Sequence, residues 1–367
     1  MPTRIPIRYP RKRRRESGAA IITALLVMTL SAIMVSGILW REQVQVRRIE
    51  DQRLIVQAQW VARGALDWTR LILHTEADTM PTATYLGGLW STPVARTRLS
   101  HFLGGMEGEG SGQVGSTWLS GTVEDAQSRF NLRSLVSNPS PGVLQVNATQ
   151  LEAFQRLLQV LGINQQLASK TALYVRSGLS HSATRFENAS TSGGAAATAQ
   201  SSPAQDDEYT DNPGIDDDDD DDHRATASLL MTDVNALLDI PGFTPAAVAR
   251  LRPFITVLPN ATPVNMNTAS AEVLTAIVPG MTLAKAQTFV AARQTVFFRN
   301  MSDVTLALQA ADVDGVSLDS SLYDVTTSYF FIHGSVQQER AEVDRTTLVW
   351  RDPLVHKTRI VRVQDAP

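Results

Sequence analysis

Residues 19–40 read AAIITALLVMTLSAIMVSGILW, a run of 22 residues without a formal charge. An α-helix rises about 1.5 Å per residue, so a helix of this length spans the roughly 30 Å hydrocarbon core of a bilayer. The run is too long for a buried helix in most soluble domains. It therefore predicts a transmembrane helix over residues 19–40.

The segment before this run is strongly basic. Residues 1–18 contain seven arginine or lysine side chains and one acid, Glu16. Basic residues favour the cytoplasmic side of a membrane helix, which predicts a single-pass membrane protein with residues 1–18 in the cytoplasm and its C-terminal body outside. The rest of the chain carries 26 basic and 36 acidic side chains. Such an acidic body disfavours binding to nucleic acid and to anionic lipid.

The sequence after Trp40 has the pattern of an amphipathic helix. Charged residues alternate with apolar ones as far as Ile72, and no proline occurs between Arg11 and Pro81. We therefore expect one helix of about 50 residues, with its first half in lipid and residues 41–75 continuing outside. A secretory signal would instead have a shorter apolar core, followed by small residues at a cleavage site.

The remainder of the chain predicts strands at both ends of a helical region. Strand patterns occupy residues 116–124, 129–132, 329–336, 342–350 and 358–363. Helical periodicity occupies residues 148–175 and returns over 229–311. Between them, residues 186–224 are rich in Ser, Thr, Gly, Ala and Asp and read as an acidic loop or disordered insert.

This order of elements predicts an α+β fold, in which the first helix packs on an antiparallel sheet that a helical domain interrupts. We place the first part of the sheet domain at residues 76–139 and its final strands at residues 318–367. The α-helical insertion domain falls between them, at residues 140–317.

Four stretches of the chain resemble the K-type minor pseudopilins of the bacterial type II secretion system. They are VEDAQSRFNLRSL (123–135), LLDIPGFTPAAVARLRPFITVLP (237–259), TPVNMNTASAEVL (262–274) and SYFFIHGSV (328–336). With the N-terminal helix they span nearly the whole chain in the family's order. The resemblance implies a type IV pilin-like fold with a large helical insertion, anchored in the inner membrane with its C-terminal body in the periplasm. It also implies a role without catalysis at the tip of the periplasmic pseudopilus.

The same resemblance implies a set of partners. In the family these are the I-type and J-type minor pseudopilins, the major pseudopilin and the inner-membrane secretion platform, with prepilin peptidase as the processing enzyme. Among them the subunit is expected to begin pseudopilus assembly. The assembly would support export of folded periplasmic proteins across the outer membrane.

The boundary between the basic segment and the apolar run resembles that of type IV pilin-like precursors, whose peptidase cuts after a glycine. The resemblance implies cleavage between Gly18 and Ala19, with Ala19 N-methylated. In most pilin-like subunits the fifth mature residue is Glu, whereas here it is Thr23. A plain signal-anchor with an incidental glycine is the alternative for this segment.

Two segments resemble halves of a helix-hairpin-helix, a motif that can bind DNA through backbone N–H groups. They centre on Gly242 and Gly280, and they support an alternative function as a membrane-anchored DNA receptor of the competence type. Thr244 and Thr282 stand where a second glycine would allow close backbone approach. Residues 229–311 also carry only five basic side chains against four acidic ones, which favours a structural hairpin.

The acidic loop suggests a metal. Calcium takes 6–8 oxygen ligands, best supplied by clustered carboxylates and carbonyls. The pattern Ala204, Asp206, Tyr209 resembles the family's calcium-binding loop, which implies calcium at Asp206 and Asp207, with Asp211 nearby. Residues 174–177 read Tyr-Val-Arg-Ser where family members tend to carry an acid, and the run Asp216–Asp222 reads as a solvated charge block. The chain has no cysteine, so thiolate sites and disulfides do not arise.

Overall fold

The structure is a computed structural model that describes residues 17–102, 117–140, 143–192, 229–313, 315–316 and 319–365. The eight helices of this part of the chain are α1 (Ser17–Thr79), α2 (Leu99–Phe102), α3 (Ala148–Val160), α4 (Leu167–Ser192), α5 (Pro245–Leu251), α6 (Ala271–Ile277), α7 (Leu283–Thr295) and α8 (Met301–Ala310). Its strands are β1 (Val94–Arg98), β2 (Thr117–Asp125), β3 (Phe130–Asn131), β4 (Val136–Ser140), β5 (Val143–Val146), β6 (Ile255–Thr256), β7 (Val264–Asn265), β8 (Tyr323–Asp324), β9 (Tyr329–Gln338), β10 (Ala341–Arg351) and β11 (Thr358–Asp365).

Helix α1 is one continuous helix of 63 residues, longer than the predicted 50. It continues past Ile72 because Leu73 and Ala77 are buried and hold its last turns on the body of the protein. The helix stops at Thr79, and Pro81 follows two residues later. Proline cannot supply the N–H that a further turn would need.

The helix lies across a five-stranded antiparallel sheet with the order β1-β2-β9-β10-β11. The strands predicted at residues 116–124, 329–336, 342–350 and 358–363 are confirmed as β2, β9, β10 and β11. Strand β1 was not predicted because it is short and carries two arginines. Arg96 and Arg98 lie over the ring of Trp118, at 5.1 and 5.2 Å from its centroid.

The helical region between β2 and β9 has its own hydrophobic core. Its largest fully buried side chains include Phe154, Leu157, Leu237, Leu251 and Phe289. Two parallel pairs of two residues each, β3–β6 and β7–β8, join distant parts of this region. Burying such apolar side chains stabilises the region by roughly 1.5–3 kcal/mol each before conformational entropy is counted.

The helices of this region differ in two places from the prediction. The periodicity over residues 148–175 is divided into α3 and α4 by a turn in which Gly162 has a φ of 66°, a conformation that favours glycine. Helix α4 also continues to Ser192, so residues 186–192 of the predicted acidic loop are helical. Gly193 and Gly194 are the first strong helix breakers after Gly178, which explains why composition alone placed the boundary too early.

Candidate anchor and subunit-contact surfaces

The first half of α1 is an exposed apolar helix. Among the described residues, α1 is the one helix long and apolar enough to cross a membrane. The large apolar side chains between Ile21 and Trp40 are each more than half exposed, and nothing else in the described part of the chain buries this stretch. Exposure of so much apolar surface is costly in water and favourable in lipid. This half of α1 is therefore suited to a membrane anchor.

The second half of α1 is fixed to the sheet by one face. Ala58, Leu66 and Leu73 are buried against β9, β10 and their neighbours. Two polar contacts set the helix position along the strands: Gln338 donates to Gln57 at 2.8 Å, and Arg70 donates to the carbonyl oxygen of Thr358 at 2.8 Å. Arg340, at the turn between β9 and β10, bonds the carboxylate of Asp51. The helix thus cannot slide along the sheet without losing several contacts.

The opposite face of the same half is apolar yet unpacked in the described structure. Its exposed apolar side chains recur at helical spacing: Val46, Ile49, Val56, Trp60 and Leu71. We call these five residues the outer stripe. Trp60 is 66% exposed and Ile49 is 65% exposed, values that are unusual for residues of this size in a soluble domain. A stripe at this spacing is the pattern by which one helix packs against another.

A buried polar network lies where the helical region leaves the sheet and returns to it. Its centre is Asp125, the last residue of β2, which is 2% exposed. Its Oδ2 accepts hydrogen bonds from Asn265 (2.9 Å), Thr268 (2.6 Å) and Thr327 (2.7 Å), and its Oδ1 accepts one from the backbone N–H of Gln127 (2.7 Å). Burial raises the pKa of Asp125, while these four hydrogen bonds act in the opposite direction.

A buried arginine extends this network to α1. Arg351, the last residue of β10, donates to the carbonyl oxygens of Leu73 (3.1 Å) and Thr327 (2.8 Å) and to the hydroxyl of Thr84 (3.0 Å). Its guanidinium carbon lies 4.8 Å from the ring centroid of Phe330. Burial lowers the pKa of Arg351, and the nearby carboxylate of Asp125 raises it. The network, which we call the joint, therefore links α1, the sheet and both ends of the helical region.

Two other residues of the segment that follows β2 also link the sheet to the helical region through hydrogen bonds. The side-chain oxygen of Gln127 accepts from the backbone N–H of Ser328 at 2.7 Å, and its amide donates to the carbonyl oxygen of Pro263 at 3.1 Å. Asn131 accepts from the backbone N–H of Leu258 at 3.1 Å. Three polar residues of the segment 123–135, which are Asp125, Gln127 and Asn131, therefore connect the sheet to the helical region.

The residues predicted for processing and assembly lie at the start of α1. Gly18 and Ala19 fall in its first turn, and Thr23 is on the exposed apolar half. The predicted calcium ligands Asp206, Asp207 and Asp211, like the run Asp216–Asp222, lie outside the described residues. Within the described parts of the chain, no group of three or more His, Asp or Glu side chains could hold a metal ion.

The two hairpins have glycine where the backbone requires it. Gly242 and Gly280 adopt φ values of 111° and 76°. Thr244 and Thr282 cap the helices that follow, because their hydroxyls accept N–H groups three residues later at 3.2 and 3.3 Å. Each hairpin therefore has a helix-capping threonine at the position where a second glycine would allow close approach of the backbone.

Four of the five basic side chains of residues 229–311 are bonded within the chain. Arg250 donates to the carbonyl oxygen of Leu161, Arg252 to Asn235, Lys285 to Asp312, and the buried Arg293 to the carbonyl oxygens of Met266 and Ala269. Phosphate contacts would have to compete with these bonds. The geometry therefore favours a structural role for the hairpins over DNA binding.

Comparison with known proteins agrees with these features. Two family models described as "Type II secretion system (T2SS), protein K" match residues 128–260 and 264–326, together more than half of the chain. The protein named type II secretion system protein K of Pseudomonas aeruginosa is 27% identical over 345 residues, which cover 92% of this chain and 89% of that protein. Its namesake of Pectobacterium carotovorum is 28% identical over 289 residues, 77% of this chain and 76% of that protein.

A solved structure shares the fold. A chain of the crystal structure of the GspK-GspI-GspJ complex from the enterotoxigenic Escherichia coli Type 2 Secretion System superposes with a TM-score of 0.56 at 14% identity. The superposition covers 87% of this chain and 99% of the other. The prediction of a pilin-like α+β fold with a helical insertion is thereby confirmed. From the family models, the relatives and the shared fold together, the chain belongs to the type II secretion system protein K family.

Proposed function

We propose that this chain is the tip subunit of a type II secretion pseudopilus, anchored in the inner membrane by the first half of α1. The observation that carries this proposal is the construction of α1. One unbroken helix has a bare apolar half, then a half with one face on the sheet and an apolar outer stripe on the other. In a soluble domain the apolar half and the outer stripe would both be exposed to water at a cost in free energy. A membrane-anchored subunit of a helical assembly instead needs the first surface for lipid and the second for its neighbours.

The charge distribution supports a periplasmic location for the body. The seven basic side chains of residues 1–18 favour the cytoplasmic side, so the sheet and the helical region lie beyond the outer surface of the inner membrane. The body in this compartment needs no disulfide, since its helical region and its sheet each have a buried apolar core.

The proposed partners are the I-type and J-type minor pseudopilins, with the major pseudopilin and the inner-membrane secretion platform further along the assembly. The shared fold with a chain of the GspK-GspI-GspJ complex supports the first two partners. The outer stripe supplies a surface on which their N-terminal helices could pack. The proposed role is to begin pseudopilus assembly and so to support export of folded proteins across the outer membrane. This role is mechanical and requires no catalytic step.

Thr23 supports a position at the end of the assembly. A carboxylate inside the membrane is costly unless an opposite charge compensates it, and in most pilin-like subunits the fifth mature residue is such a carboxylate. Counted from Ala19, the fifth residue here is the uncharged Thr23. A first subunit has no amine ahead of it to neutralise. Its own amine at Ala19 would remain available to the glutamate of the next subunit.

Mass spectrometry of the crosslinked membrane fraction tests this function. We expect the N-terminal peptide of the mature protein to begin at Ala19 and to carry an N-methyl group, because the peptidase cuts after Gly18. We expect its crosslinks to reach I-type and J-type subunits at one end of the pseudopilus. The Thr23→Glu variant should be processed in the same way, since residue 23 lies beyond the cleaved bond.

Two outcomes would refute the assignment. A mature N-terminus beyond Trp40 would indicate conventional release of a signal peptide and would remove the anchor. Crosslinks between many copies of this chain along the shaft would show a repeated subunit rather than a tip. Either result is distinguishable from a simple failure of expression, because both require recovered protein.

Calcium binding at Asp206 and Asp207 is proposed on the family resemblance alone. A ligand that binds only the folded state stabilises it by about 2.7 kcal/mol when present at 100 times its Kd. Chelation should therefore lower the Tm of the full chain in detergent, and Asp206→Ala should abolish this sensitivity. Deletion of Asp216–Asp222 is the control and should change little, since shortening a loop has a small entropic effect. A melting curve insensitive to both chelator and millimolar calcium would contradict the proposal.

A further inference from the structure

A polar cavity lies on the face of the sheet opposite α1, between the sheet and the helical region. Its volume is about 240 Å³, enough for a small organic group. The sheet contributes Glu124 and Arg362, and the helical region contributes Asp233 and Arg252. Arg129 lines the cavity from the segment between β2 and β3. None of these residues belongs to the joint or to the outer stripe.

Two polar atoms at this cavity lack a partner within the described parts of the chain. Thr256 is 2% exposed, and its hydroxyl oxygen makes no hydrogen bond there. The Nε of Arg129 is also buried without an acceptor, although its terminal nitrogen bonds Glu124. Thr256 pairs with Asn131 in the parallel pairing of β3 with β6, and Arg129 precedes β3 by one residue, so both line the same cavity. A buried donor without an acceptor costs about 1–3 kcal/mol.

The charges at the cavity do not balance. Among the described residues that line it, three guanidinium groups, those of Arg129, Arg252 and Arg362, face two carboxylates, those of Glu124 and Asp233. The excess is one positive charge when His333 is neutral, in a chain whose net charge is −4. Arg252 donates to Asn235 and Arg362 to the carbonyl oxygen of Thr232, so each still has further N–H groups.

We propose that this cavity is a binding site for a single carboxylate. The planar fork of an arginine matches the two oxygens of a carboxylate, and the hydroxyl of Thr256, which lines the same cavity, supplies a third donor. One negative charge compensates the excess positive charge, which favours a carboxylate over a phosphate dianion. The ligand is either a small free carboxylate or the side chain of an acidic residue on another protein.

Thermal unfolding of the full chain in detergent tests this site with defined probes. The probes are sodium propionate and the capped peptide acetyl-Gly-Glu-Gly-amide, each compared with sodium chloride and with sodium phosphate at equal ionic strength. Both carboxylate probes should raise the Tm beyond the effect of chloride if small ligands enter. A response to the capped peptide alone would identify an acidic side chain as the ligand. Either pattern supports the proposal.

Three variants determine whether the response comes from this cavity. Arg129→Lys keeps the charge but removes Nε, and Thr256→Val keeps the shape but removes the hydroxyl. Each should weaken carboxylate binding roughly tenfold or more, because a hydrogen bond to a charged group is lost. Arg299→Lys is the matched control outside the cavity and should bind like the parent. Without ligand, Thr256→Val should melt no lower than the parent, since it removes a buried polar atom that lacks a partner.

Three results would overturn the proposal. The first is that neither carboxylate probe raises the Tm beyond chloride. The second is that Arg129→Lys and Thr256→Val keep the full response, which would place the ligand elsewhere. The third is that phosphate is as effective as the carboxylates, which would contradict the charge argument and show a general anion site.

Discussion

Replacing Asp125 with alanine should lower the free energy of unfolding by about 3–5 kcal/mol, the range seen when one member of a buried charged network is removed. The reason is the number of donors that lose their acceptor. The side chains of Asn265, Thr268 and Thr327 and the backbone N–H of Gln127 would all remain buried and unpaired. Denaturant unfolding of the full chain, followed by tryptophan fluorescence, measures this loss.

Asp344→Ala is the matched control because Asp344 is exposed on β10, where its loss should change stability by about 0.5 kcal/mol or less. A double-mutant cycle with Thr268→Val adds a second check. The two side chains share one hydrogen bond of 2.6 Å, so the Thr268 substitution should have a smaller effect once Asp125 is gone. Additive effects, or an Asp125→Ala loss no larger than that of the control, would show that the joint does not act as a unit.

The raised pKa of Asp125 sets the direction of its pH dependence. The pKa of an unfolded aspartate is about 3.9. When the pKa of such an acid is higher in the folded state, the acid stabilises the native state most at pH values below its unfolded pKa. This contribution is lost as the pH rises through the folded pKa. The difference in stability between the parent and Asp125→Ala should therefore widen on acidification from neutral pH. A difference that narrows on acidification would contradict the raised pKa.

Replacing Trp60 with glutamate should abolish recovery of the proposed partners, the I-type and J-type minor pseudopilins, when this chain is purified. Trp60 is 66% exposed at the middle of the outer stripe, where a charge would have to be desolvated against a partner helix. A buried aromatic anchor of an interface typically contributes 2 kcal/mol or more, a loss of about thirtyfold in affinity. Affinity purification from detergent-solubilised membranes, with quantification of both partners, gives the measurement.

Gln59→Glu is the control for this experiment. It introduces the same charge at the neighbouring exposed position, which lies off the outer stripe, and it should leave partner recovery unchanged. The Tm of the Trp60→Glu variant should equal that of the parent, since Trp60 has no part in the sheet-facing core. Undiminished recovery of both partners by Trp60→Glu would exclude the outer stripe as the contact surface.

The elements with strong local patterns could be predicted from the sequence. The apolar run from Ala19 to Trp40 and the absence of proline before Pro81 predicted α1, since both act through adjacent residues along one helix. The alternation in residues 329–336 and 342–350 predicted β9 and β10, which pair through a short turn at Glu339 and Arg340. Short and polar strands such as β1 have too few residues for an alternating pattern to be recognised in the sequence.

The sequence predicted candidate functional surfaces only along the single helix α1. The apolar positions of α1 were visible in the sequence, but the face that meets the sheet and the face that remains exposed could not be separated. That distinction depends on contacts such as the one between Gln57 and Gln338, 281 positions apart. The hairpins at Gly242 and Gly280 were recognised, and the structural role favoured for them agrees with the bonding of their basic side chains.

By itself the sequence determined that this protein has a membrane-length helix, an interrupted antiparallel sheet and a helical region between its strands. Those features follow from hydrophobic periodicity, which is a local property of the chain. The tertiary structure alone decided that Asp125 meets Asn265, 140 residues later, and Thr327, 202 residues later. It alone brought Arg129 and Thr256 to the lining of one cavity. No pattern of neighbours in sequence encodes such contacts, because they form only when the packed cores bring distant segments together. The polar groups that are buried in this way must then form hydrogen bonds within the protein.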